Sequence, residues 1–269
     1  MLSGMEAGVR RMILRGLIVM AALGAALALG GCTGTDASTS GTTTTTNASA
    51  TGIWGGTDSV TGLTVIGYVN SAGDAVFMRA DGAQYAGPTQ VSGETLVAAV
   101  VGYADFGNQF SDGSTYGIGT LEGSVTTAGT MTLTLSFTTN NGTAQSGAWS
   151  LTFNSISTSG SSLGAVNASY TDANGVAAIS INATGVMTGQ DGNGCVLNGS
   201  ISVSDSTYDV YQVTFTFESC TGNYAVLNGV QFMGLAALDT TSSPAQLTIS
   251  VAGATATSKY ALVLNLLVS

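Results

Sequence analysis

From residue 51 onward the chain consists of short β-type runs separated by turn residues, and this pattern restricts the folds open to it. Runs rich in Val, Ile, Leu, Thr and aromatic residues alternate with clusters of Gly, Asn, Asp and Ser, without a long helical period. In residues 130–138 every second side chain from Met131 to Phe137 is apolar, and Thr or Ser lies between them. Because neighbouring strand residues point to opposite faces, this strand should be buried on one face only. The pattern predicts an all-β protein with antiparallel strands.

The predicted strands fall into two units of about eight strands each. In the first unit they lie near residues 52–56, 63–70, 75–80, 83–91, 94–103, 116–126, 130–138 and 146–154. In the second unit they lie near residues 165–170, 176–182, 185–188, 195–204, 209–218, 225–236, 245–252 and 259–268.

The two units are related by an internal repeat. Six residues recur at a constant offset of 112 (182 − 70 = 112), where Asn70, Gly73, Gly82, Gly87, Val91 and Ser92 correspond to Asn182, Gly185, Gly194, Gly199, Val203 and Ser204. Many of the matches are glycines, which mark backbone with positive φ or a close approach of chains. The repeat therefore predicts a shared topology rather than a shared chemistry.

Each unit, residues 51–160 and residues 161–269, is a meander that has to close or cover its edges, because open strand edges invite aggregation. Two small β-barrels in tandem are the favoured interpretation. A single larger barrel made from both units, or a sandwich, is the alternative. An eight-stranded barrel has an interior that side chains fill or that holds one small ligand, and the sequence names no ligand.

Cys195 and Cys220 are predicted to form a disulfide bond. They flank a hairpin with predicted strands 195–204 and 209–218, and a hairpin centre at 207.5 places them opposite each other (195 + 220 = 415). Such a bond would stabilise the fold by about 3 kcal/mol in the chain-entropy model. The alternative is a redox or metal pair, but the chain has no CxxC motif and no histidine.

The N-terminal residues 1–31 are predicted to be a secretory signal peptide. Arg10, Arg11 and Arg15 precede the apolar run Leu17–Leu29, which is shorter than the about 20 residues that a membrane span requires. The alternative is an uncleaved membrane helix from Met12 onward, which would contain one of these arginines. Translation could begin at Met1, Met5 or Met12.

The segment Leu29, Gly30, Gly31, Cys32 resembles the lipobox of bacterial lipoproteins. The resemblance implies cleavage before Cys32 and attachment of diacylglycerol and an acyl chain such as palmitate to that residue. In the sorting pattern of enteric bacteria, Thr33 in place of Asp implies the outer membrane. The alternative is a cysteine beside an ordinary secretory cleavage site. Residues 32–50 would then be a Thr/Ser-rich disordered tether, reaching about 60 Å when extended.

The charge balance excludes one class of partner. After residues 1–31 are removed, two basic residues face 14 acidic residues, a net charge of −12 (2 − 14). Such a surface repels nucleic acid.

Catalytic groups are scarce in this sequence. The absence of histidine excludes Ser-His-Asp and Cys-His systems as well as histidine-based zinc sites. Ser258 and Lys259 are neighbours on a predicted strand and would point to opposite faces. The remaining candidates are two acid pairs of the kind that hydrolyse glycosides, and these are Asp105 with Asp112 and Asp205 with Asp209. The expectation is that the protein is not an enzyme and needs no cofactor beyond its lipid.

Two turns contain oxygen ligands of the kind that calcium prefers. Asp172 lies near Asn174, and Asp191 lies near Asn193. Neither pair matches the EF-hand loop or the Gly-Gly-x-Gly-x-Asp repeat, and turns in which the side chain binds the following backbone explain both. They are weak metal candidates.

Gly52, Ile53 and Trp54 open the first unit and resemble the start of lipocalin-type barrels, in which the Trp closes one end. The paired-barrel lipoproteins of the transferrin-binding type are similar in architecture only. These resemblances imply a barrel and no particular ligand, and the alternative for Trp54 is an ordinary core residue.

The sequence thus favours a lipoprotein anchored to the outer membrane and facing the periplasm or the cell surface. Its expected role is non-enzymatic binding of an unknown protein or small molecule. The alternatives are a structural or assembly-assisting envelope protein and a hydrolase with an acid pair.

Overall fold

A computed structural model describes residues 46–175, 177–192 and 194–269. The predicted all-β architecture is confirmed, and the chain folds into two closed antiparallel barrels of eight strands each. The first barrel comprises β1 (Gly52–Asp58), β2 (Thr64–Val69), β3 (Asp74–Arg79), β4 (Ala83–Ser92), β5 (Thr95–Ala104), β6 (Tyr116–Val125), β7 (Thr130–Thr139) and β8 (Ala144–Phe153). The second comprises β9 (Ser169–Asp172), β10 (Ala177–Ile181), β11 (Val186–Asp191), β12 (Val196–Val203), β13 (Tyr211–Glu218), β14 (Gln231–Asp239), β15 (Gln246–Ala254) and β16 (Lys259–Val268).

Both barrels have the same up-and-down topology. Each strand pairs with the next strand along the chain, β1 closes the first barrel against β8, and β9 closes the second against β10 and β16. The alternatives of one larger barrel and of a sandwich are therefore wrong. The predicted signal peptide, Cys32 and most of the tether lie outside the described residues, as does Asn193.

Two predicted strands begin later than expected because short helices take their place. In the strand predicted near 165–170, residues Leu163–Val166 form a helical turn, α1, which the Ser162 side chain caps by accepting a hydrogen bond from the Ala165 amide at 3.1 Å. In the strand predicted near 225–236, residues Gly222–Leu227 form a 3₁₀ helix and β14 starts only afterwards. A further 3₁₀ helix, Ser155–Ser159, lies in the linker 154–168 between the barrels.

Large side chains fill the interior of each barrel. The first core contains Trp54, Phe77, Tyr85, Leu96, Leu121, Met131, Leu135 and Trp149. The second contains Tyr170, Met187, Tyr211, Phe215, Phe232, Leu247 and Ile249. In β7 the predicted alternation is confirmed, since Met131 to Phe137 point inward at every second position while the hydroxyl residues between them are exposed.

The internal repeat appears in the structure as equivalent turns. The Oδ1 of Asn70 accepts hydrogen bonds from the backbone amides two and four residues later, at 3.0 and 2.9 Å. The Oδ1 of Asn182 does the same at 2.9 and 3.0 Å. Gly73 and Gly185 complete these turns with φ of +89° and +81°. Residues with a Cβ atom rarely adopt such positive φ values, which explains why glycine occupies both positions.

The predicted disulfide between Cys195 and Cys220 is confirmed, but the predicted register is wrong by one residue. Val196 pairs with Glu218 (196 + 218 = 414), so Cys195 falls opposite Ser219. Ser219 has a left-handed φ of 60°, and this local turn brings the next residue into bonding position.

The two barrels pack against each other through a third apolar cluster, formed by the outer faces of β1–β3 and β13–β14. Its buried members are Ile53, Tyr68, Val76 and Met78 of the first barrel with Val210, Leu235 and Ala237 of the second. Hydrogen bonds add to this interface, since the Phe106 amide donates to the Ala261 carbonyl at 2.9 Å and the Val263 amide donates to Asp105 Oδ1 at 3.2 Å. Residues 46–269 belong to one compact unit.

Candidate functional site at the interface of the two barrels

An apolar cleft lies where the outer faces of the barrels meet. β3 and β4 form one wall, and β12, β13 and β14 form the other. Its volume is about 400 Å³, which lies within the usual range of small-ligand pockets. Val76, Pro88, Val213 and Leu235 line it, and Met233 stands at its edge with 61% of its surface exposed. The cleft is suited to an apolar group of a small molecule or of a partner protein.

Polar groups at the border of the cleft limit what it accepts. Ser200, Ser202 and Thr214 supply hydroxyl groups, and among the described lining residues Asp74 carries the only charge. An anionic partner is therefore disfavoured at this place, in agreement with the acidic composition of the chain.

Asp209 is a buried acid at the same interface. Only 2% of its surface is exposed, and neither carboxylate oxygen has a hydrogen-bond partner among the described residues. Burial raises the pKa of Asp209 to about 7 and the charge of Asp239 adds to the rise, although the nearby Leu238 amide and Tyr211 hydroxyl act in the opposite direction. A carboxyl group in this environment holds its proton near neutral pH.

A second buried polar group of the first barrel lies at the interface, against β15. Gln84 is 2% exposed, and its Oε1 accepts a hydrogen bond from the Ser250 hydroxyl at 2.6 Å. Its Nε2 has no partner among the described residues. Burial raises the pKa of Tyr68, which lies close enough to Asp209 for that charge to raise it further. The interface thus combines an apolar cluster with incompletely paired polar groups.

A polar cluster lies at the end of β3 in the first barrel. Arg79 pairs with the fully buried Asp58 at 3.4 Å and with Asp81 at 2.8 Å. Burial acts to raise the pKa of Asp58, but the hydrogen bonds from the Val60 and Ala148 amides and the charge of Arg79 outweigh it and hold that pKa below its usual value. This carboxylate is therefore ionised and paired at neutral pH.

The two members of the first predicted acid pair, Asp105 and Asp112, have separate structural roles. Asp105 accepts the hydrogen bond from the Val263 amide of the second barrel, and burial raises its pKa. Asp112 accepts hydrogen bonds from the Ser114 and Thr139 hydroxyls, which hold its pKa well below the usual range. The two carboxylates have no common partner among these contacts.

The two members of the second predicted pair, Asp205 and Asp209, differ in their hydrogen bonds, their burial and the direction of their pKa shifts. Asp205 Oδ1 accepts a hydrogen bond from the Thr207 amide at 2.8 Å, and this bond lowers its pKa. Asp209 has the raised pKa that a general acid needs, but its 2% exposure leaves no room for a substrate beside it. The arrangement gives the hydrolase alternative no geometric support.

The weak calcium candidates serve as turn residues. Asp172 Oδ1 accepts a hydrogen bond from the Ala177 amide, and Asp191 Oδ1 accepts one from the Cys195 amide. Asn174 is exposed. Within the described residues, no group of three or more acidic, His or Cys side chains is placed to hold a metal ion.

Trp54 is fully buried, and its Nε1 donates to the Ala50 carbonyl at 2.7 Å. It also packs edge-on against Phe153, with ring centroids 5.4 Å apart. Lys259 lies 5.6 Å from the centre of the Tyr116 ring, so its ammonium group is engaged in a cation–π contact.

Sequence reasoning missed Gln84, Tyr68 and Arg79 as constituents of polar sites. Only Arg79 carries a signal in the sequence, because it is the single arginine that follows the N-terminal segment. It is also the only charged residue of the predicted strand 75–80, and a lone charge on an apolar strand indicates a buried partner.

Comparisons with protein-family models, with curated proteins and with solved structures find no match to this chain. Among the residues that the structure describes, no helix is long and apolar enough to span a membrane.

Proposed function

We propose that this protein is a non-enzymatic interaction module, anchored to the bacterial outer membrane through a lipid on Cys32, and that the inter-barrel cleft is its binding surface. The observation that carries the proposal is the contrast between inside and outside. Both barrel interiors are packed with large side chains, whereas an apolar cleft remains open between the barrels. A barrel that carries a ligand needs internal space, so binding falls to the exterior.

The cleft also has the chemistry of a protein-binding surface. An exposed methionine at its edge, Met233, adapts to different partner shapes because its side chain is flexible and polarisable. The neighbouring hydroxyl residues and Asp74 can supply hydrogen bonds at the border. An apolar centre with a polar border is the usual anatomy of an interface.

The binding surface is tested by site-specific photo-crosslinking in cells. A photoreactive residue in place of Met233 is expected to give discrete crosslinked products. The matched control is the same residue in place of Ile118, which is 66% exposed on β6 and does not line the cleft. Equal products at both positions, or none at Met233, would contradict the assignment of the cleft.

The anchor is tested separately, by metabolic labelling with radioactive palmitate. The wild-type chain should carry the label and remain with the outer membrane, and Cys32→Ser should lose both properties. A labelled Cys32→Ser variant, or an unlabelled wild type, would remove the lipoprotein assignment without affecting the cleft.

A further inference from the structure

The interface between the barrels contains buried polar groups that packing leaves unpaired. Both oxygens of Asp209 and the Nε2 of Gln84 lack partners among the described residues, and each residue is only 2% exposed. Folded proteins leave few such groups, and those that remain call for an explanation. Both groups would gain water if the barrels moved apart. These polar groups therefore make fewer hydrogen bonds when the barrels are docked than when the barrels are apart.

Asp209 lies where the two barrels and their linker meet. Its backbone amide donates to the Ser157 carbonyl of the linker at 2.8 Å. The next residue, Val210, is buried in the apolar cluster that joins the barrels. A change in the charge of Asp209 therefore affects the contacts of both barrels and of the linker.

The ionisable groups around Asp209 offer no compensating positive charge. Asp239 on β14, Tyr211 on β13 and Tyr68 on β2 interact with it electrostatically. Asp105 is a further acid of the interface, and it accepts a hydrogen bond from the second barrel.

The two basic side chains in the described part of the chain are engaged elsewhere. Arg79 pairs with Asp58 and Asp81, and Lys259 lies over the Tyr116 ring. An ionised Asp209 in the docked state would therefore be a buried negative charge beside other acids.

We propose that the protonation state of Asp209 controls the docking of the two barrels. When its carboxyl group is neutral, the barrels pack closely. When it is ionised, the carboxylate requires water, and the barrels separate while the linker 154–168 keeps them tethered. Each barrel keeps its own core throughout, because the two cores are separate clusters.

The sign of the effect follows from the raised pKa of Asp209. The docked state binds the proton more tightly than an open state in which the carboxyl group meets water. Docking is thus strongest at acidic pH and weakens as pH rises through the interval from the ordinary aspartate pKa of 3.8 to about 7. Within that interval a one-proton equilibrium changes by about tenfold per pH unit. Burial also raises the pKa of Asp105, which contributes with the same sign.

Native-state amide exchange on residues 46–269 tests the proposal. The reporter is the Phe106 amide, which donates across the interface to Ala261, and the reference is the Leu133 amide within β7. After correction for intrinsic exchange, the opening constant of the Phe106 amide should rise by about tenfold per unit between pH 5 and 7, and the Leu133 amide should show no such slope. Asp209→Asn should reduce the slope to the smaller part that Asp105 contributes, because the asparagine side chain cannot ionise.

The matched control is Asp205→Asn, which changes a partly exposed acid on the same loop and should keep the wild-type slope. Small-angle scattering should show a larger radius of gyration at high pH for the wild type and for Asp205→Asn only. A pH-independent Phe106 amide, or a slope that Asp209→Asn leaves unchanged, would overturn the proposal. If Asp209→Asn fails to fold, a ¹³C titration of the wild-type carboxyl decides, and a midpoint near 4 would also overturn it. These measurements do not depend on the anchor or on a partner.

Discussion

Trp54 on β1 and Tyr170 on β9 make the same hydrogen bond in their two barrels. The Trp54 Nε1 donates to the Ala50 carbonyl at 2.7 Å, and the Tyr170 hydroxyl donates to the Val166 carbonyl at 3.0 Å. In each case the acceptor lies four residues earlier, and both rings are fully buried. The segment that precedes each barrel is therefore fastened to the first strand of that barrel through an aromatic side chain.

Variants that remove this bond should destabilise both barrels. Tyr170→Phe keeps the ring but leaves the Val166 carbonyl unpaired, which we expect to cost about 1–2 kcal/mol of unfolding free energy. Trp54→Ala removes the ring as well and should cost about 3–5 kcal/mol. Urea unfolding monitored by circular dichroism measures both. Tyr208→Phe is the control, because its hydroxyl makes no hydrogen bond to any of the described residues; an equal loss there would contradict the assigned role.

Gly87 should tolerate no side chain. A Cβ atom at this position would lie 2.0 Å from the Ala99 carbonyl oxygen of the neighbouring strand. Its repeat partner Gly199 meets the Thr214 carbonyl oxygen at 2.3 Å. Each Gly→Ala variant should therefore lower the free energy of unfolding by about 2 kcal/mol or more, which appears as a lower midpoint of urea unfolding. Gly55→Ala, where a Cβ atom would meet nothing within 4 Å, is the control, and the prediction fails if all three variants behave alike.

Arg79→Met should leave the buried Asp58 without its cation. Removing one partner of a buried ion pair typically costs about 3–5 kcal/mol. The lowered pKa of Asp58 sets the pH dependence. Its contribution to stability is present above the unfolded pKa near 3.8 and is lost as pH falls through the lower folded value. The penalty of Arg79→Met should accordingly be largest at pH 7 and smaller at pH 3, as measured by unfolding at both pH values.

Arg79→Lys provides the control for charge without the guanidinium geometry. It should recover part of the stability that Arg79→Met loses, because the Asp58 pair at 3.4 Å needs a positive charge. An Arg79→Met variant as stable as the wild type at pH 7 would show that the pair contributes nothing.

Asp209→Asn should stabilise the protein at high pH and leave it unchanged at low pH. The raised pKa of about 7 means that the folded state holds a proton that the unfolded state releases above pH 4. The wild type therefore loses stability between pH 4 and 7, by at most about 4 kcal/mol if the whole shift is expressed. The variant should show a flatter profile than the wild type over this interval. Chemical unfolding at pH 5 and pH 8 measures the difference, and a variant less stable than the wild type at pH 8 would refute the burial argument.

The fold could be predicted from the sequence because strand period, turn residues and cysteine spacing are local features of the chain. Strand period and turn residues predicted the sixteen strands, and the spacing of Cys195 and Cys220 in one hairpin predicted their disulfide. The positions of Gly73 and Gly185 predicted the shared topology. One error concerns the hairpin register, which differs by one residue from the predicted one. The left-handed Ser219, which lies beyond the paired residues, nevertheless brings Cys220 to Cys195.

The candidate site could not be predicted from the sequence in the same way. Gln84 and Ser250 are 166 residues apart in the chain, and each occupies an outward strand position that reads as solvent-exposed. Asp209 follows a turn and reads as an ordinary loop acid, yet packing of the second barrel against the first buries it.

The sequence by itself determined the strands, the turns, the repeat and the disulfide, because side-chain alternation, glycine conformation and hairpin spacing act over a few residues. Only the tertiary structure decided which outer faces meet, and with them the cleft, the unpaired Gln84 Nε2 and the buried Asp209. The physical reason is that an outward-facing polar residue has the same local pattern whether water or a second barrel covers it, so its environment is set by contacts between distant parts of the chain.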